Sequence, residues 1–238
     1  MQGETDRFID PLYTMSETAR YLDVPTSTLQ RWARGVTPNS PERRRVPAEP
    51  LITSTGSKGS RSAVIPFVGL AEGYTLAAFR NAGVSVRRIR PAIEALIREF
   101  GFSHALASKN LYTDGADVLY DYASSEADDD VRTASRQLVV VRNGQHVFTE
   151  VVDRYLRLVE FGSDNYATLI HLPAYRFADV VVDPLHGFGQ PRFSRGGARL
   201  QDALGMFEAG ESLETVAAEY GVPREELEDA VRIAARAA

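Results

Sequence analysis

Residues 13–35 read YTMSETARYLDVPTSTLQRWARG, and this stretch decides the fold of the N-terminal part of the chain. Thr14 is followed three residues later by Glu17, which is a capping box and predicts that a helix begins here. Apolar side chains then recur at helical spacing at Met15, Ala19 and Leu22. The pattern predicts a short amphipathic helix.

A second helix is predicted directly after the first. Asp23-Val24-Pro25 ends the first helix, because the residue before a proline avoids the α region. Pro25 and Thr26 can open the next helix, and its apolar face consists of Leu29, Trp32 and Ala33. Two short helices joined by a tight turn are a helix-turn-helix.

The polar face of the second helix carries hydroxyl, amide and guanidinium groups. These groups bond base edges and phosphates in a DNA major groove. No acidic residue lies between Pro25 and Gly35 to repel a duplex. A plain helical hairpin with a solvated face is the alternative interpretation. The candidate DNA-binding residues on this helix are Thr26, Ser27, Thr28, Gln30, Arg31 and Arg34.

Further basic residues follow the helix pair and extend the candidate DNA-binding set. They are Arg43, Arg44, Arg45, Lys58 and Arg61. The β-prone stretches 51–53 and 63–65 flank a loop that contains the last two of these residues. We therefore expect a hairpin with a basic tip, which is a wing able to grip adjacent phosphates. Helices are predicted at 70–80 and 86–100.

This N-terminal part resembles the DNA-binding domain of MerR-type regulators. The resemblance rests on YTMSETARYLDVPTSTLQRWAR at 13–34, on Arg61 with Phe67, and on AAFRNAGVSVRRIRPAIEAL at 77–96. It implies a winged helix-turn-helix whose second helix enters the major groove. Gln30 stands where that family often has an arginine.

Composition and charge restrict the class of protein. The chain has no cysteine, which excludes disulfides and thiolate metal sites, and no apolar run of the roughly 20 residues that a membrane helix needs. We expect a cytoplasmic protein that does not contact a membrane. Residues 1–110 carry 15 basic and 10 acidic side chains, whereas 111–238 carry 12 and 22. The two halves are thus expected to face different partners.

The middle of the chain predicts a small antiparallel sheet packed on helix. Strands are expected at 137–141, 145–151, 156–161 and 167–172, the first two joined by an Asn-Gly turn. The acidic run 126–130 could be a carboxylate metal site, but a solvated helix start or loop is favoured. The four histidines are far apart, and His171 reads as a buried or edge residue rather than a ligand. We find no catalytic constellation, so the sequence predicts no enzyme, cofactor or metal site.

The C-terminal part predicts a strand at 179–183, a helix at 198–208, and a further helix pair. Ser212 is the expected N-cap of the first helix of the pair, Gly221 ends it, and Pro223 starts the second. The pair is shaped like a helix-turn-helix, but Arg224 is the one base among eight acids: Glu208, Glu211, Glu214, Glu219, Glu225, Glu226, Glu228 and Asp229. Carboxylates oppose phosphate binding, so we expect protein contacts here.

Residues 179–235 resemble the small domain of VapB-type antitoxins, here in a long form with a MerR-like domain ahead of it. The matching segments are DVVVDP at 179–184, GQP at 189–191, AGESLE at 209–214 and YGV at 220–222. Gly197-Ala198-Arg199 replaces the usual Gly-Thr-Arg. The resemblance implies a type II antitoxin that neutralises a cognate PIN-domain ribonuclease toxin and represses its own operon by binding operator DNA.

The implied toxin suggests a role for the basic residues of the C-terminal loop. PIN-type active sites are carboxylate clusters that hold divalent metal, so an inserted arginine could displace the ion. The candidate partner-binding residues are Arg192, Arg195 and Arg199.

The sequence as a whole predicts an α+β chain of three modules. They are a winged helix-turn-helix at 1–110, a small antiparallel α+β spacer or dimerisation region at 111–178, and a helical, helix-turn-helix-like antitoxin domain at 179–238. A homodimer is expected, because paired half-sites enlarge a DNA interface. The alternative is a MerR-like transcriptional regulator whose C-terminal half senses a small effector. A pocket with convergent polar groups would favour it.

Overall fold

The structure is a computed structural model, and it describes residues 6–35, 49–56, 62–101, 103–126, 128–142 and 145–235. Spatial proximity groups the chain into two compact units made of separate stretches. Unit 1 consists of Met1–Leu29, Thr55–Phe67 and Leu169–Ala238, and unit 2 of Gln30–Ser54 and Val68–Thr168. The module boundaries 1–110, 111–178 and 179–238 stay a prediction, because this grouping does not test which stretch carries which function.

The described residues combine helices with short antiparallel strands, which confirms the α+β class. The helices are α1 (Met15–Tyr21), α2 (Thr26–Arg34), α3 (Phe67–Asn81), α4 (Val86–Phe100), α5 (Lys109–Ser125), α6 (Asp129–Arg136), α7 (Glu150–Leu156), α8 (Leu200–Glu208), α9 (Leu213–Tyr220) and α10 (Arg224–Ala235). The strands are β1 (Val139–Arg142), β2 (Gln145–Phe148), β3 (Val159–Phe161), β4 (Ala167–His171), β5 (Val180–Val182) and β6 (Arg192–Phe193). One sheet pairs β1 with β2, and the other has the order β3-β4-β5-β6.

In unit 1 the predicted capping box at the start of α1 is present. The Thr14 hydroxyl oxygen accepts from the Glu17 amide at 3.1 Å, and the Glu17 carboxylate accepts from the Thr14 amide at 2.8 Å. Ala19 and Leu22 are buried, as the helical spacing predicted. The capping box therefore satisfies two of the backbone amides that a helix start leaves without partners.

The C-terminal part of unit 1 also forms as its local signals predict. Ile170 pairs with Val182 and Val180 with Phe193, so β4, β5 and β6 are antiparallel neighbours. The Ser212 hydroxyl accepts from the Thr215 amide at 3.1 Å and caps α9. Gly221 ends that helix in the left-handed conformation, with φ of 62°.

Unit 2 is built around α3, which is buried on all sides from Val68 to Phe79. A helix that is buried on all sides is typical of a protein core. The helices α4, α5 and α6 pack against one another, and the β1-β2 hairpin packs on α5. Asp128 caps α6, since its carboxylate accepts from the Asp130 amide at 2.9 Å, so the acidic run is a helix start as expected.

The prediction of strands at both 145–151 and 156–161 was wrong in part. The stretch 150–156 is the helix α7, and only the ends of the predicted strands remain as β2 and β3. Val152 and Leu156 are buried, whereas Arg154 between them is exposed. A strand would place all three side chains on one face, and a helix turns Arg154 away from the other two. The i, i+4 ion pair of Arg157 with Asp153, at 2.8 Å, adds support for the helix.

Candidate DNA-binding and partner-binding sites

The second helix, α2, has the two faces that the sequence predicted. Its apolar positions Leu29, Trp32 and Ala33 are buried. On the opposite side, the candidate DNA-binding residues form a polar surface that carries no acid between positions 25 and 35. Thr26, Ser27, Arg31 and Arg34 are exposed, and Thr28 and Gln30 are half-buried. The helix thus displays donors and acceptors that suit base edges, and the DNA contact itself stays a prediction.

The turn between α1 and α2 sets the start of the second helix. Asp23 adopts a left-handed φ of 52°, a conformation that aspartate tolerates better than most residues. The Val24 amide then donates to the Ala19 carbonyl at 3.0 Å, and the Val24 side chain is buried. The chain therefore reverses tightly, and α2 begins with Pro25 directly before its first residue.

The C-terminal end of α2 is held by the segment that follows it in unit 2. The Trp32 carbonyl accepts from the Leu51 amide at 2.7 Å and from the Ile52 amide at 3.3 Å. The Ser54 hydroxyl donates to the Ala33 carbonyl at 3.3 Å. These bonds satisfy carbonyls that a helix end leaves without partners, so they fix the direction of α2.

The predicted wing has a different pairing from the one expected. In unit 1, Ile65 forms an antiparallel bridge with Tyr13 instead of pairing with the 51–53 stretch. The Thr55 amide donates to the Val64 carbonyl at 2.8 Å, but Thr55 lies after the expected strand 51–53. The basic candidates Arg43, Arg44, Arg45, Lys58 and Arg61 lie outside the described residues, so their role stays a prediction.

A tight hairpin in unit 1 brings the three candidate partner-binding arginines together. The Phe193 amide donates to the Ala198 carbonyl at 2.9 Å, and Arg192 and Arg199 are bridge partners. Arg195 and Arg199 are exposed. Arg192 is half-buried, and its guanidinium lies 3.8 Å from the Asp183 carboxylate. Two of the three arginines are thus available to a partner, and the third forms an ion pair within the unit.

The sequence did not indicate that Tyr13 contacts the glycine-rich loop after β5. The buried Tyr13 hydroxyl donates to the Gly189 carbonyl at 2.9 Å, across 176 positions of sequence. Burial raises the pKa of this phenol far above its usual range, so it stays a donor. A contact between such distant residues leaves no trace in local spacing.

Two acids counted as surface charge in the sequence are buried in unit 1. The Asp229 carboxylate accepts from the amides of Arg176, Phe177 and Ala178 at 2.8, 2.9 and 3.2 Å. The Glu226 carboxylate accepts from the Asp179 amide at 3.2 Å. Their three-residue spacing places them on one face of α10, which is the signal that could have revealed them.

Each of the four histidines has a carboxylate partner. The Nδ1 atoms of His104, His146, His171 and His186 lie 2.9, 2.8, 2.5 and 2.5 Å from the carboxylates of Glu72, Asp117, Asp179 and Asp183, respectively. His171 is half-buried on β4, which is an inner strand of its sheet. Within the described stretches, no group of three or more histidine and acidic side chains could hold a metal ion.

A cleft of about 360 Å³ lies in unit 2, between the 50–54 segment and the residues around His104. Its polar groups already bond one another: the Glu72 carboxylate accepts from the Thr53 amide at 2.5 Å and lies 2.9 Å from His104 Nδ1. This cleft lies within residues 50–106 and not in the acidic half in which an effector site was expected. Thermal stabilisation by a small molecule would test that alternative, which stays a prediction.

Comparison with known proteins identifies the family. Residues 11–93 match a family described as a putative DNA-binding HTH domain. The chain is 45% identical to the putative antitoxin VapB45 of Mycobacterium tuberculosis over 228 residues, which are 94% of this chain and 94% of that protein. The chain belongs to the family of VapB45.

Two further comparisons agree with membership of the VapB45 family. The crystal structure of Rv2018 from Mycobacterium tuberculosis superposes with a TM-score of 0.82, at 44% identity, over 95% of this chain and 100% of that one. The uncharacterized protein Rv2308 of the same organism is 24% identical over 92% of this chain and 88% of its own length. The match to the DNA-binding family includes α1, α2 and the turn between them, so the N-terminal helix-turn-helix is confirmed.

None of the helices that the structure describes is both long enough and apolar enough to cross a bilayer.

Proposed function

We propose that this chain is the antitoxin of a type II toxin–antitoxin pair. It binds and neutralises a PIN-domain ribonuclease toxin, and it represses its own operon by binding operator DNA. The observation that carries this proposal is the 45% identity to the putative antitoxin VapB45 along 94% of the chain. Such a match includes both the helix-turn-helix and the C-terminal hairpin, so it supports both activities.

The DNA-binding part of the proposal uses the exposed face of α2. The acid-free surface and the two exposed arginines, Arg31 and Arg34, suit a phosphate-lined groove. A homodimer would place two such helices about one turn of DNA apart, which is the spacing of operator half-sites.

The toxin-binding part uses the arginines of the C-terminal hairpin. Arg195 and Arg199 are exposed, and neither forms an ion pair with any residue that the structure describes. A guanidinium matches the geometry of carboxylates, so these side chains can enter a metal-binding carboxylate cluster and displace the ion. Arg192 is the weaker candidate, because it would first have to leave Asp183.

Co-purification tests the proposal directly. We would express the chain with the protein encoded beside it and measure complex formation, ribonuclease activity and cell growth. A stable complex in which the neighbour loses its ribonuclease activity is the expected result. Failure of the two proteins to associate, or a neighbour without nuclease activity, would contradict the toxin-binding part.

Operator binding is a separate measurement. The chain should retard the promoter fragment of its own operon and leave an unrelated fragment free. If both fragments bind equally, the repressor part of the proposal is wrong even where the toxin part holds.

A further inference from the structure

Two large apolar side chains are exposed on the loop between β5 and β6 in unit 1. Leu185 is 61% exposed and Phe188 is 59% exposed, although their neighbours Pro184 and Gly189 are buried. Large aromatic side chains lose the benefit of burial when they face water. Aromatic side chains are enriched at protein interfaces, so this loop is a candidate interaction site.

The backbone of this loop presents Phe188 at the expense of local strain. Gly187, Phe188 and Gly189 have successive φ angles of 58°, 55° and 71°. Glycine adopts this left-handed region freely, whereas a residue with a bulky side chain does so only when its surroundings impose it. Strained residues of this kind cluster at functional sites.

The loop is held firmly on both sides of Phe188. The Asp183 carboxylate accepts from the Leu185 amide at 2.8 Å and bonds the His186 ring at 2.5 Å. On the other side, the Gly189 carbonyl accepts the buried Tyr13 hydroxyl. The exposed position of Phe188 therefore follows from an ordered loop.

Cationic groups border the apolar tip. The Arg199 Nε atom lies 3.8 Å from the position that a Cβ on Gly187 would occupy, so its guanidinium is next to the residue that precedes Phe188. Arg195 is exposed on the same hairpin. The surface thus combines an aromatic tip with arginine, and both residue types are enriched among those that dominate binding energies.

We propose that Phe188, with Leu185 beside it, is the anchor that seats this loop on the toxin. Phe188 contacts an apolar part of the toxin surface, and Arg199 beside it faces the active-site carboxylates of the proposed toxin. This inference rests on the proposed function, and it deepens that function by naming the contact. Charge favours this occupant over a second copy of the chain, because pairing two such tips would bring like-charged arginines together.

The test compares Phe188→Asn with Phe177→Asn. Asparagine is tolerated in the left-handed region, so the first variant keeps the loop conformation. Phe177 is 70% exposed in the same unit, which makes the second variant a matched loss of an exposed phenylalanine. We would measure the dissociation constant for a catalytically inactive form of the neighbouring nuclease, together with the melting temperature, operator affinity and molecular mass.

Phe188→Asn should weaken toxin binding roughly 30-fold or more, the loss expected of a central anchor, and leave operator affinity unchanged. The melting temperature should stay the same or rise slightly, because asparagine relieves the strain of the left-handed conformation. Phe177→Asn should change binding less than roughly threefold. Phe188→Gly should behave like Phe188→Asn, since both remove the ring without straining the backbone.

Three results would overturn the inference. Unchanged toxin binding by Phe188→Asn, while the wild-type chain binds, shows that the anchor is elsewhere and leaves the proposed function intact. A lower molecular mass for Phe188→Asn with toxin binding retained assigns the tip to a second copy. If the wild-type chain does not bind the toxin, both the proposed function and the anchor are wrong.

Discussion

At the scale of single residues, the space around the Gly189 α-carbon sets a clear steric limit. A Cβ there would lie 2.7 Å from the Tyr13 hydroxyl oxygen and 2.9 Å from a Leu12 methyl group. Gly197 has a similar φ, 69° against 71°, yet nothing lies within 4 Å of its added Cβ. An alanine at Gly197 would therefore add backbone strain alone, whereas an alanine at Gly189 would add both backbone strain and steric overlap.

We expect Gly197→Ala to lower the free energy of unfolding by about 1 kcal/mol, which is the cost of the left-handed conformation for alanine. Gly189→Ala should lower it by about 3 kcal/mol, because overlap with Tyr13 adds to that cost. Urea unfolding of both variants measures the difference. Equal losses would mean that the loop shifts and that Tyr13 does not confine it.

Local signals predicted several single-residue features correctly. The capping box at Thr14 and the cap at Ser212 depend on atoms only three positions apart, so a short stretch of sequence contains the whole interaction. The bond from Tyr13 to Gly189 depends on how distant segments fold together. Periodicity and spacing carry no information about such a pair.

At the scale of elements, α10 anchors the loop before β5 through a buried carboxylate. Asp229 accepts three backbone amides and is 4% exposed. Asp229→Ala would leave those amides without a partner and should lower the free energy of unfolding by about 3 kcal/mol. Asp229→Asn keeps one acceptor oxygen, so it should lose about 1 kcal/mol. Chemical denaturation of the two variants gives both values.

The exposed arginines of α2 lead to a prediction about DNA. Arg31→Ala and Arg34→Ala should each weaken operator binding, and each should reduce the slope of log affinity against log salt by about 0.9 if the side chain meets a phosphate. Arg232→Ala is the control, because Arg232 is an exposed helical arginine paired with Glu228 on α10. Operator titrations at several salt concentrations decide the matter, and a control variant as weak as the other two would argue against α2.

Elements with one strong local pattern were predictable, and elements shaped by their surroundings were not. The helix α2 combines a start signal with helical apolar spacing, and it formed where the sequence placed it. The helix α4 also formed at its predicted bounds, 86–100. The predicted strands 145–151 and 156–161 overlap the two ends of α7, because local propensity alone set their bounds. Tertiary packing selected a helix there, in which Val152 and Leu156 are buried and Arg154 is exposed.

The same distinction applies to the candidate sites. The polar face of α2 could be derived from its spacing, because a helix converts spacing directly into a surface. The conformation of Phe188 could not be predicted from the sequence, since no local pattern indicates that an aromatic residue adopts a left-handed φ. The ion pair of Arg192 with Asp183 could not be predicted either, because the pairing of β5 and β6 brings these two residues together.

At the scale of the whole molecule, buried tyrosines determine how stability depends on alkaline pH. Burial raises the pKa of Tyr21 and that of Tyr175 to about 12, from an ordinary value of 10. Burial also raises the pKa of Tyr13 and Tyr74, still further. In each case the neutral phenol is favoured in the folded state, because the interior disfavours the charged form.

The direction of the pH effect follows from proton binding. Below pH 10 these tyrosines are protonated in both states, so their contribution to stability is complete. Between pH 10 and 12 only the unfolded chain releases the protons, so the free energy of unfolding should fall by about 1.4 kcal/mol per pH unit for each tyrosine. Tyr21→Phe removes one such group and should make that decline shallower. Urea unfolding of the wild type and Tyr21→Phe at pH 9, 10 and 11 measures both slopes, and identical slopes would show that Tyr21 ionises equally easily in both states.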